Sequence, residues 1–165
     1  MLFTIRPYEK EDCAAILDII NYNILHSTAL YDYNTRSLAQ QSTIFEDNLA
    51  KGYPIIVAVN PENEVVGFGY FGAFRFREAY QFTVEHSVYV HPDFQGHKIG
   101  HLLLSHLIEL AKTQKRHTMI AVIDSENQGS VAFHEKFGFT TVGIIKESGY
   151  KFDRWLDSVF MQLML

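Results

Sequence analysis

The stretch from Val88 to Gly100 is the part of the sequence with the clearest capacity to bind a ligand. It reads as the end of an apolar strand, a tight loop that holds Gly96 and Gly100, and the start of a leucine-rich helix. A helix start presents unpaired backbone N–H groups and the positive end of the helix dipole, and glycine lets the backbone approach an anion closely. The stretch therefore predicts a phosphate site. An ordinary strand-to-helix turn is the alternative, since short glycine motifs are weak signals.

A second stretch, Asn127 to Phe139, combines a polar start, a short helix and a glycine end. Asn127 stands before the helix, His134 lies within it, and Gly138 ends it. Taken alone, these residues also fit a plain helix cap at Asn127 and a surface histidine at position 134. The two stretches together, in this order and at this separation, form a more specific pattern than either one.

Together the two stretches resemble the signatures of the GNAT superfamily of acetyltransferases, and the resemblance covers nearly the whole chain. The run Gln95-Gly96-His97-Lys98-Ile99-Gly100 resembles the superfamily's pyrophosphate motif: Gln or Arg, two residues, Gly, any residue, then Gly or Ala. Lys98 stands where the superfamily usually has its middle glycine, so it either strains the loop or adds a cation beside the pyrophosphate. We expect the loop to keep its shape, because a residue at a helix start does not need a positive φ.

Within the superfamily, the chain is most similar to the phosphinothricin acetyltransferase group. Tyr80 and the strand Thr83 to Val90 resemble that group's fourth strand, and residues 149–157 with the final Gln162-Leu163 resemble its last strands. The group has a histidine where other GNAT enzymes have a tyrosine near the sulfur of CoA, which fits His134. The resemblance implies acetyl-CoA as the co-substrate and no metal. The implied contacts with acetyl-CoA are Val88, Tyr89, Val90, Gln95, Gly96, His97, Lys98, Ile99, Gly100, His101, Asn127 and Ser130.

Acetyl transfer needs a neutral amine, so a base has to accept a proton from the acceptor. The resemblance assigns this role to Glu85, which otherwise reads as an exposed strand carboxylate. His86 is the alternative base and is expected on the opposite face of the sheet. The resemblance further implies backbone N–H groups near Val88 as donors to the oxyanion, and His134 as the acid for the departing thiolate. No covalent intermediate is needed, and Cys13 reads as a small core residue.

The acceptor pocket rests on weaker signals. Arg75 and Arg77 precede Tyr80 and Glu85, and a pair of guanidinium groups suits a carboxylate or a phosphinate. We predict that these four residues, together with Phe74, bind the acceptor, while a solvated strand end is an equal alternative for the arginines. The other aromatic residues that either line the pocket or belong to the core are Tyr31, Tyr33 and Trp155.

Apolar periodicity and turn residues predict the elements that must position these side chains. Strands are expected at residues 2–6, 54–59, 64–74, 80–90, 118–123, 139–146 and 150–164, and helices at 9–25, 37–51, 100–115 and 130–137. Gly67, Gly69 and Gly72 indicate that another element approaches the second hairpin strand closely. The order predicts a mixed α/β (α+β) fold: one GNAT domain over residues 1–165, with a mostly antiparallel sheet of about seven strands and about four helices.

Composition excludes several classes. The 165 residues are 47% hydrophobic and carry a net charge of −5, which disfavours broad nucleic-acid binding. A single cysteine rules out a disulfide framework and favours the cytoplasm, and no apolar run is long enough to span a membrane. The clustered histidines do not have the spacing of a metal site, and no Ser-His-Asp arrangement supports a hydrolase. The clustered histidines are His86, His91, His97, His101 and His106.

We therefore expect an N-acetyltransferase that moves acetyl from acetyl-CoA to the primary amine of a small amino-acid-like acceptor, such as phosphinothricin or methionine sulfoximine or sulfone, by direct attack in a ternary complex. A protein acetyltransferase for N-terminal or lysine amines is one alternative, and a non-catalytic acyl-CoA-binding module is another. The resemblance and the apolar last strand predict a homodimer.

Overall fold

The computed structural model describes residues 2–165, which form one seven-stranded sheet with helices on both faces. The strands are β1 (Thr4–Pro7), β2 (Ile55–Val59), β3 (Val65–Ala73), β4 (Thr83–Val90), β5 (Thr118–Asp124), β6 (Thr140–Lys151) and β7 (Arg154–Met164). The helices are α1 (Cys13–His26), α2 (Leu38–Ala50), α3 (Ile99–Thr113) and α4 (Gln128–Glu135). The predicted fold class, sheet and four helices are confirmed.

The sheet order is β1-β2-β3-β4-β5-β7-β6, and every pair of neighbours is antiparallel except β4 and β5. The parallel pair is short, because its register begins at Thr83 opposite Thr118 and ends at Glu85 opposite Ile120. Beyond Glu85, β4 continues to Val90 while β5 continues without pairing to it. The two strands therefore part in the middle of the sheet, and the edges they leave open face a gap.

Two apolar clusters hold the helices against the sheet. One includes α3 and the last strands, and the other lies between α1, α2 and the hairpin of β2 and β3. Cys13 is buried in the first helix, as predicted for a core residue. Ser37 caps α2 as expected: its Oγ accepts from the Gln40 N–H at 3.2 Å, and the Gln40 Oε1 accepts from the Ser37 N–H at 2.8 Å.

Helix α3 lies close against β3 because two glycines there have no side chain. A Cβ at Gly67 would lie 3.0 Å from the carbonyl O of Tyr89 and 3.2 Å from Cγ2 of Ile99. A Cβ at Gly69 would lie 3.0 Å from Cδ1 of Leu107. The predicted close approach to this strand is confirmed, and it sets the position at which α3 begins.

The ends of two elements differ from the prediction. Residues 78–80 form a 3-10 turn, so β4 begins at Thr83 rather than at Tyr80. The predicted break between residues 146 and 150 is wrong, because β6 runs on to Lys151. The chain instead reverses at Phe152 and Asp153, whose φ values of 52° and 56° form the tight turn into β7.

Candidate active site

A cavity of about 900 Å³ occupies the gap where β4 and β5 part. Glu85, the last residue of β4 that pairs with β5, lines the cavity where the two strands part, and the loop before α3 lines it as well. The lining residues on the two strands are 85–90 and 121–124. Further lining residues come from the loop before α3 (Gln95, Gly96 and Gly100), from the region of α4 (Asn127, Gly129, Ser130, Phe133 and His134), from β3 (Tyr70) and from residues 28–31.

The open edge of β4 presents backbone donors to the cavity. Successive residues of an antiparallel strand turn their N–H and C=O groups to opposite edges. The N–H of His91, just after β4, faces β3, because it donates to the carbonyl O of Val66 on that strand at 2.8 Å. The N–H groups of Val88 and Val90 therefore face the other edge, where β5 no longer pairs. Such a row of free amide groups can pair with the amides of an extended ligand arm.

The loop before α3 turns tightly through two left-handed residues. Gly96 has φ 81°, which costs glycine little. Lys98 has φ 62° and ψ 15° at the N-cap of α3, so the expectation that this position avoids a positive φ is wrong. The Cβ of lysine makes this conformation costly, by about 1 kcal/mol.

The residues of this loop point in different directions. The side chain of Ile99 is buried in the core, so only its backbone faces the ligand side. The ring of His97 turns back on the loop, with Nδ1 3.1 Å from the carbonyl O of Gln95. His101 is exposed and lies against Phe137, with 4.7 Å between ring centroids. Gln95, Gly96 and Gly100 of this stretch line the cavity, whereas the imidazoles of His97 and His101 lie outside its lining.

Asn127 caps α4, since its Oδ1 accepts from the N–H of Ser130 at 3.1 Å. The plain cap considered from the sequence is therefore present. Asn127 also lines the cavity, and with its oxygen engaged, its amide NH₂ is the group left to contact a ligand.

His134 is buried and forms a pair with His86, which the alternative surface interpretation does not allow. Its Nδ1 lies 2.7 Å from the carbonyl O of Ser130, which only accepts, so Nδ1 carries a proton. Its Nε2 lies 3.1 Å from the Nε2 of His86. In the neutral pair, His86 therefore donates through Nε2 to His134. This leaves Nδ1 of His86 unprotonated, and it has no hydrogen-bond partner among residues 2–165.

Burial keeps both imidazoles neutral. Desolvation, aided by the neighbouring His134, lowers the pKa of His86 to about 3. Desolvation also lowers the pKa of His134, although its bond to the Ser130 carbonyl opposes the shift. A neutral, dry pair at this wall of the cavity suits the apolar thioester end of an acyl-CoA better than a charged pair would.

Glu85 and His86 are neighbours on β4, so their side chains point to opposite faces of the sheet, as predicted. Both residues line the cavity, and His86 also packs against Phe139, 5.7 Å away between ring centroids. Burial raises the pKa of Glu85, and the charge of Arg75 opposes that shift. A carboxylate with a raised pKa is a better proton acceptor near neutral pH.

Residues 20–139 match the Acetyltransferase (GNAT) family. The chain belongs to this family. It is 43% identical over 163 residues to an L-methionine sulfoximine/L-methionine sulfone acetyltransferase of Salmonella typhimurium, with 98% of this chain and 94% of the relative covered. A phosphinothricin N-acetyltransferase of Streptomyces viridochromogenes is 36% identical, with 96% and 85% covered. A solved acetyltransferase from Salmonella typhimurium with its cofactor acetyl-CoA is 41% identical, covers 100% of this chain and 95% of its own, and superimposes with a TM-score of 0.96.

This GNAT enzyme is therefore an N-acetyltransferase that uses acetyl-CoA. Within residues 2–165, no three His, Cys, Asp or Glu side chains come together as a metal site, and no helix there is long and apolar enough to cross a bilayer.

The residues predicted for the acceptor are only partly brought together. Glu85 lines the cavity, whereas Phe74, Arg75, Arg77 and Tyr80 lie outside its lining, on the connection from β3 to β4. Both arginines are exposed. The guanidinium of Arg75 lies 4.2 Å from the ring centroid of Phe74 and donates to the Phe74 carbonyl O at 2.8 Å. We call this connection, with Arg75 and Arg77, the rim of the cavity. From the rim, the charge of Arg75 acts on Glu85.

The segment between α1 and α2 forms one wall of the cavity, a role for which the sequence offered only Tyr31 and Tyr33 as candidates. Residues 28–31 line the cavity, and Thr28 Oγ1 donates to Oδ2 of the buried Asp124 at 2.5 Å. Tyr31 was a candidate for the pocket and does line it, whereas Tyr33 and Trp155 are exposed and belong to neither pocket nor core. One feature of the sequence could have identified Asp124 as a site residue: it is the polar residue at the carboxyl end of a buried strand.

Proposed function

We propose that this enzyme acetylates the primary amine of a small amino-acid-like acceptor, of the methionine sulfoximine, methionine sulfone or phosphinothricin kind. The observation that supports the proposal is the position of Glu85, which lines the cavity at the last pair between β4 and β5. Acetyl-CoA would lie along the open edge of β4, with its pyrophosphate at residues 95–100 and its thioester toward Glu85. The curated relatives named above act on acceptors of this kind.

In this proposal, Glu85 accepts a proton from the acceptor's ammonium group, directly or through a water. The neutral amine then attacks the thioester carbonyl, the N–C bond forms, and the carbonyl oxygen becomes an oxyanion. The N–H of Val88, which faces the gap, donates to that oxyanion. Collapse of the tetrahedral intermediate breaks the C–S bond and releases the thiolate of CoA, and the second proton of the attacking nitrogen leaves to solvent as the amide forms. Transfer is direct, so no acyl-enzyme forms.

We assign the protonation of the thiolate to His134, under a condition that its geometry sets. Its Nδ1 is held by the Ser130 carbonyl, so the donated proton must come from Nε2, which now contacts His86. His134 must therefore take up a second proton at Nε2, a charged form that its burial disfavours, and exchange His86 for the sulfur. A histidine whose pKa is lowered by burial gives up that proton readily to a thiolate, whose ordinary pKa is higher.

The acceptor itself is proposed to enter past residues 28–31 and the rim of Arg75 and Arg77. The wall at residues 28–31 closes the cavity on one side, which suits a free amino acid better than a polypeptide. The two exposed guanidinium groups are proposed to attract and hold the acceptor's carboxylate or phosphinate.

The test is a thiol-release assay with acetyl-CoA and a panel of amino acids, their sulfoximine, sulfone and phosphinate analogues, and short peptides. Release with free amino-acid analogues, with intersecting initial-rate lines, is the expected result. Release with peptides alone would favour a protein acetyltransferase, and tight acetyl-CoA binding without any release would favour a binding module. Either outcome would overturn the proposal.

We also infer a homodimer that forms through β6, the last strand of the sheet. β6 is an edge strand, and it exposes a row of apolar side chains that a monomer would leave in water. Val142 and Ile145 are 55% and 51% exposed, and Trp155 on β7 is 61% exposed. Sedimentation at micromolar concentration is expected to give twice the 19.0 kDa chain mass, and Ile145→Lys to give the monomer.

Two further proposals concern organisation. The whole chain, residues 1–165, is proposed to be one N-acetyltransferase domain, because strands from its two ends join one sheet. We propose a cytoplasmic location, because the one cysteine is buried and free and the co-substrate is acetyl-CoA. Cell fractionation tests the second proposal.

A further inference from the structure

A buried lysine far from the reacting groups is placed where it controls the acceptor wall. Lys151, the last residue of β6, is 4% exposed. Its Nζ donates to the carbonyl O of Ser27 at 2.8 Å and to that of Leu30 at 2.5 Å. The ring of Phe152 lies 5.0 Å from the same nitrogen. Among residues 2–165, no carboxylate lies within ion-pair distance of Nζ.

Burying an ammonium group against neutral acceptors is costly, and its lowered pKa reflects that burial. An apolar side chain would fill the same space at lower cost, but it would leave two carbonyl groups without donors. The two bonds fix the path of the chain between Ser27 and Leu30, where no helix or strand does so. The two hydrogen bonds of Lys151 thus hold this segment in place, as backbone hydrogen bonds to a neighbouring strand hold a β-strand.

The fixed segment is the acceptor wall, residues 27–33, of which 28–31 line the cavity. Two further contacts of the wall lead to the hairpin of β6 and β7, while Thr28 bonds to Asp124 on β5. The hydroxyl of Tyr33 donates to the carbonyl O of Tyr150 at 2.5 Å, and a Cβ at Gly149 would lie 2.5 Å from the ring of Tyr31. Lys151 is the one member of this set that holds the wall's backbone from inside the protein.

The cofactor side does not share these contacts. The loop at residues 95–100 is built on β4 and α3, and Lys151 and the acceptor wall make no hydrogen bond to it within residues 2–165. The wall does bond to Asp124 through Thr28, and the carbonyl O of Asp124 accepts from the N–H of Asn127 at 2.9 Å. A change at Lys151 therefore reaches the cofactor side only indirectly, and its main effect falls on the acceptor side.

We propose that Lys151 is a positioning residue for acceptor binding, which holds residues 27–33 as the acceptor wall and acts mainly on the acceptor side of the cavity. The proposal rests on the acceptor site proposed above. It predicts that the loss of the ammonium group acts on the acceptor's KM and spares that of acetyl-CoA.

The test compares Lys151→Met with Lys146→Met, the same change on the same strand at a side chain that is 77% exposed and pairs only with Asp157. For Lys151→Met, we expect the acceptor's KM to rise about tenfold, less than the loss of two hydrogen bonds to a charged group because part of that loss falls on the stability of the fold, with the KM for acetyl-CoA changed less than twofold. Lys146→Met should leave both values unchanged. Lys151→Arg, which keeps donors at this place, should recover part of the loss.

Hydrogen exchange followed by mass spectrometry on the acetyl-CoA complex supplies a readout that does not need a known acceptor. In Lys151→Met, the amides of residues 27–33 should exchange faster, while those of residues 95–102 should not change. Should Lys151→Met fail to fold, Tyr33→Phe, at an exposed side chain, should show the same pattern more weakly. Equal changes in both KM values, or unchanged exchange at 27–33, would overturn the proposal. Failure of the wild type to turn over any acceptor would count against the proposed function instead.

Discussion

The two ends of the cavity are built in different ways. The cofactor end uses mainly backbone groups of one continuous stretch, β4, its loop and the start of α3, within residues 83–113, and the start of α4 adds Asn127. The acceptor end joins side chains from distant parts of the chain: Glu85, the wall at residues 27–33 and the hairpin that includes Lys151. The first end depends on local conformation, whereas the second depends on how remote elements pack. Substitutions should therefore separate the two ends cleanly.

The largest effect is expected from removing the proposed base. Glu85→Gln should lower kcat by roughly 100-fold or more, the usual contribution of a general base, while acetyl-CoA binds with unchanged affinity because the cofactor end is intact. Thiol release and calorimetric titration measure the two quantities. The control is Glu78→Gln, which changes an exposed carboxylate on the connection from β3 to β4. Equal activity in Glu85→Gln and Glu78→Gln would refute the assignment.

The histidine pair should make the stability depend on pH. The pKa of His86 falls from 6.5 to about 3 on folding, so between these values the unfolded chain binds a proton that the folded chain does not. The free energy of unfolding should therefore fall as the pH drops below about 6.5, by up to about 1.4 kcal/mol per pH unit for this group. In His86→Gln that contribution is absent.

Thermal unfolding at pH 7.5 and pH 5 measures this effect. The difference in Tm between the two pH values should be smaller in His86→Gln than in the wild type. His106→Gln, at an exposed position on α3, should keep the wild-type difference. An unchanged difference in His86→Gln would mean that His86 is not buried in its neutral form.

A smaller effect is expected from the strained loop of the cofactor end. Lys98→Gly removes the Cβ that opposes φ 62°, and it should raise the free energy of unfolding by about 1 kcal/mol. Lys98→Ala keeps the Cβ and removes the charge, so it should bring no such gain. If both variants bind acetyl-CoA more weakly than the wild type, and by the same factor, the charge of Lys98 contributes to pyrophosphate binding. A less stable Lys98→Gly would contradict the left-handed conformation.

The smallest effect is expected at the rim. The charge of Arg75 lowers the pKa of Glu85, so Arg75→Gln should raise that pKa further. The acidic limb of the kcat/KM profile should then move to higher pH, because the base must be ionised to work. Arg77→Gln, at an equally exposed arginine two residues away, should leave the limb in place. A shift to lower pH in Arg75→Gln would contradict the electrostatic role.

The same contrast explains what the sequence predicts. The cofactor end follows from a strand, a glycine loop and a helix in direct succession, so its position was predictable from the sequence. The φ of Lys98 was not, because the path of the loop is fixed by how closely α3 packs on Gly67 and Gly69, and that packing is a tertiary property. The overall sheet and helices were predictable because their apolar periods are long.

The acceptor end was predicted less well for a physical reason. Lys151 and Leu30 are 121 positions apart, and nothing in either local sequence indicates that they meet. The histidine pair joins His86 to His134 across 48 positions, and the burial of both rings is visible only in the fold. The break expected near residue 147 was wrong because Glu147 forms a bulge, held by its N–H donating to Asp157 Oδ1 at 2.8 Å, rather than a turn.

The most direct test of the two-ended cavity is hydrogen exchange of the wild-type enzyme in three states: free, with acetyl-CoA, and with a non-reactive CoA thioether plus L-methionine sulfone. The account predicts that acetyl-CoA slows exchange at residues 88–101 and 127–130, and that the acceptor then slows exchange at residues 27–33 with little further change at the loop. Protection of residues 95–101 by the acceptor, or none at 27–33, would contradict the division of the cavity into these two ends.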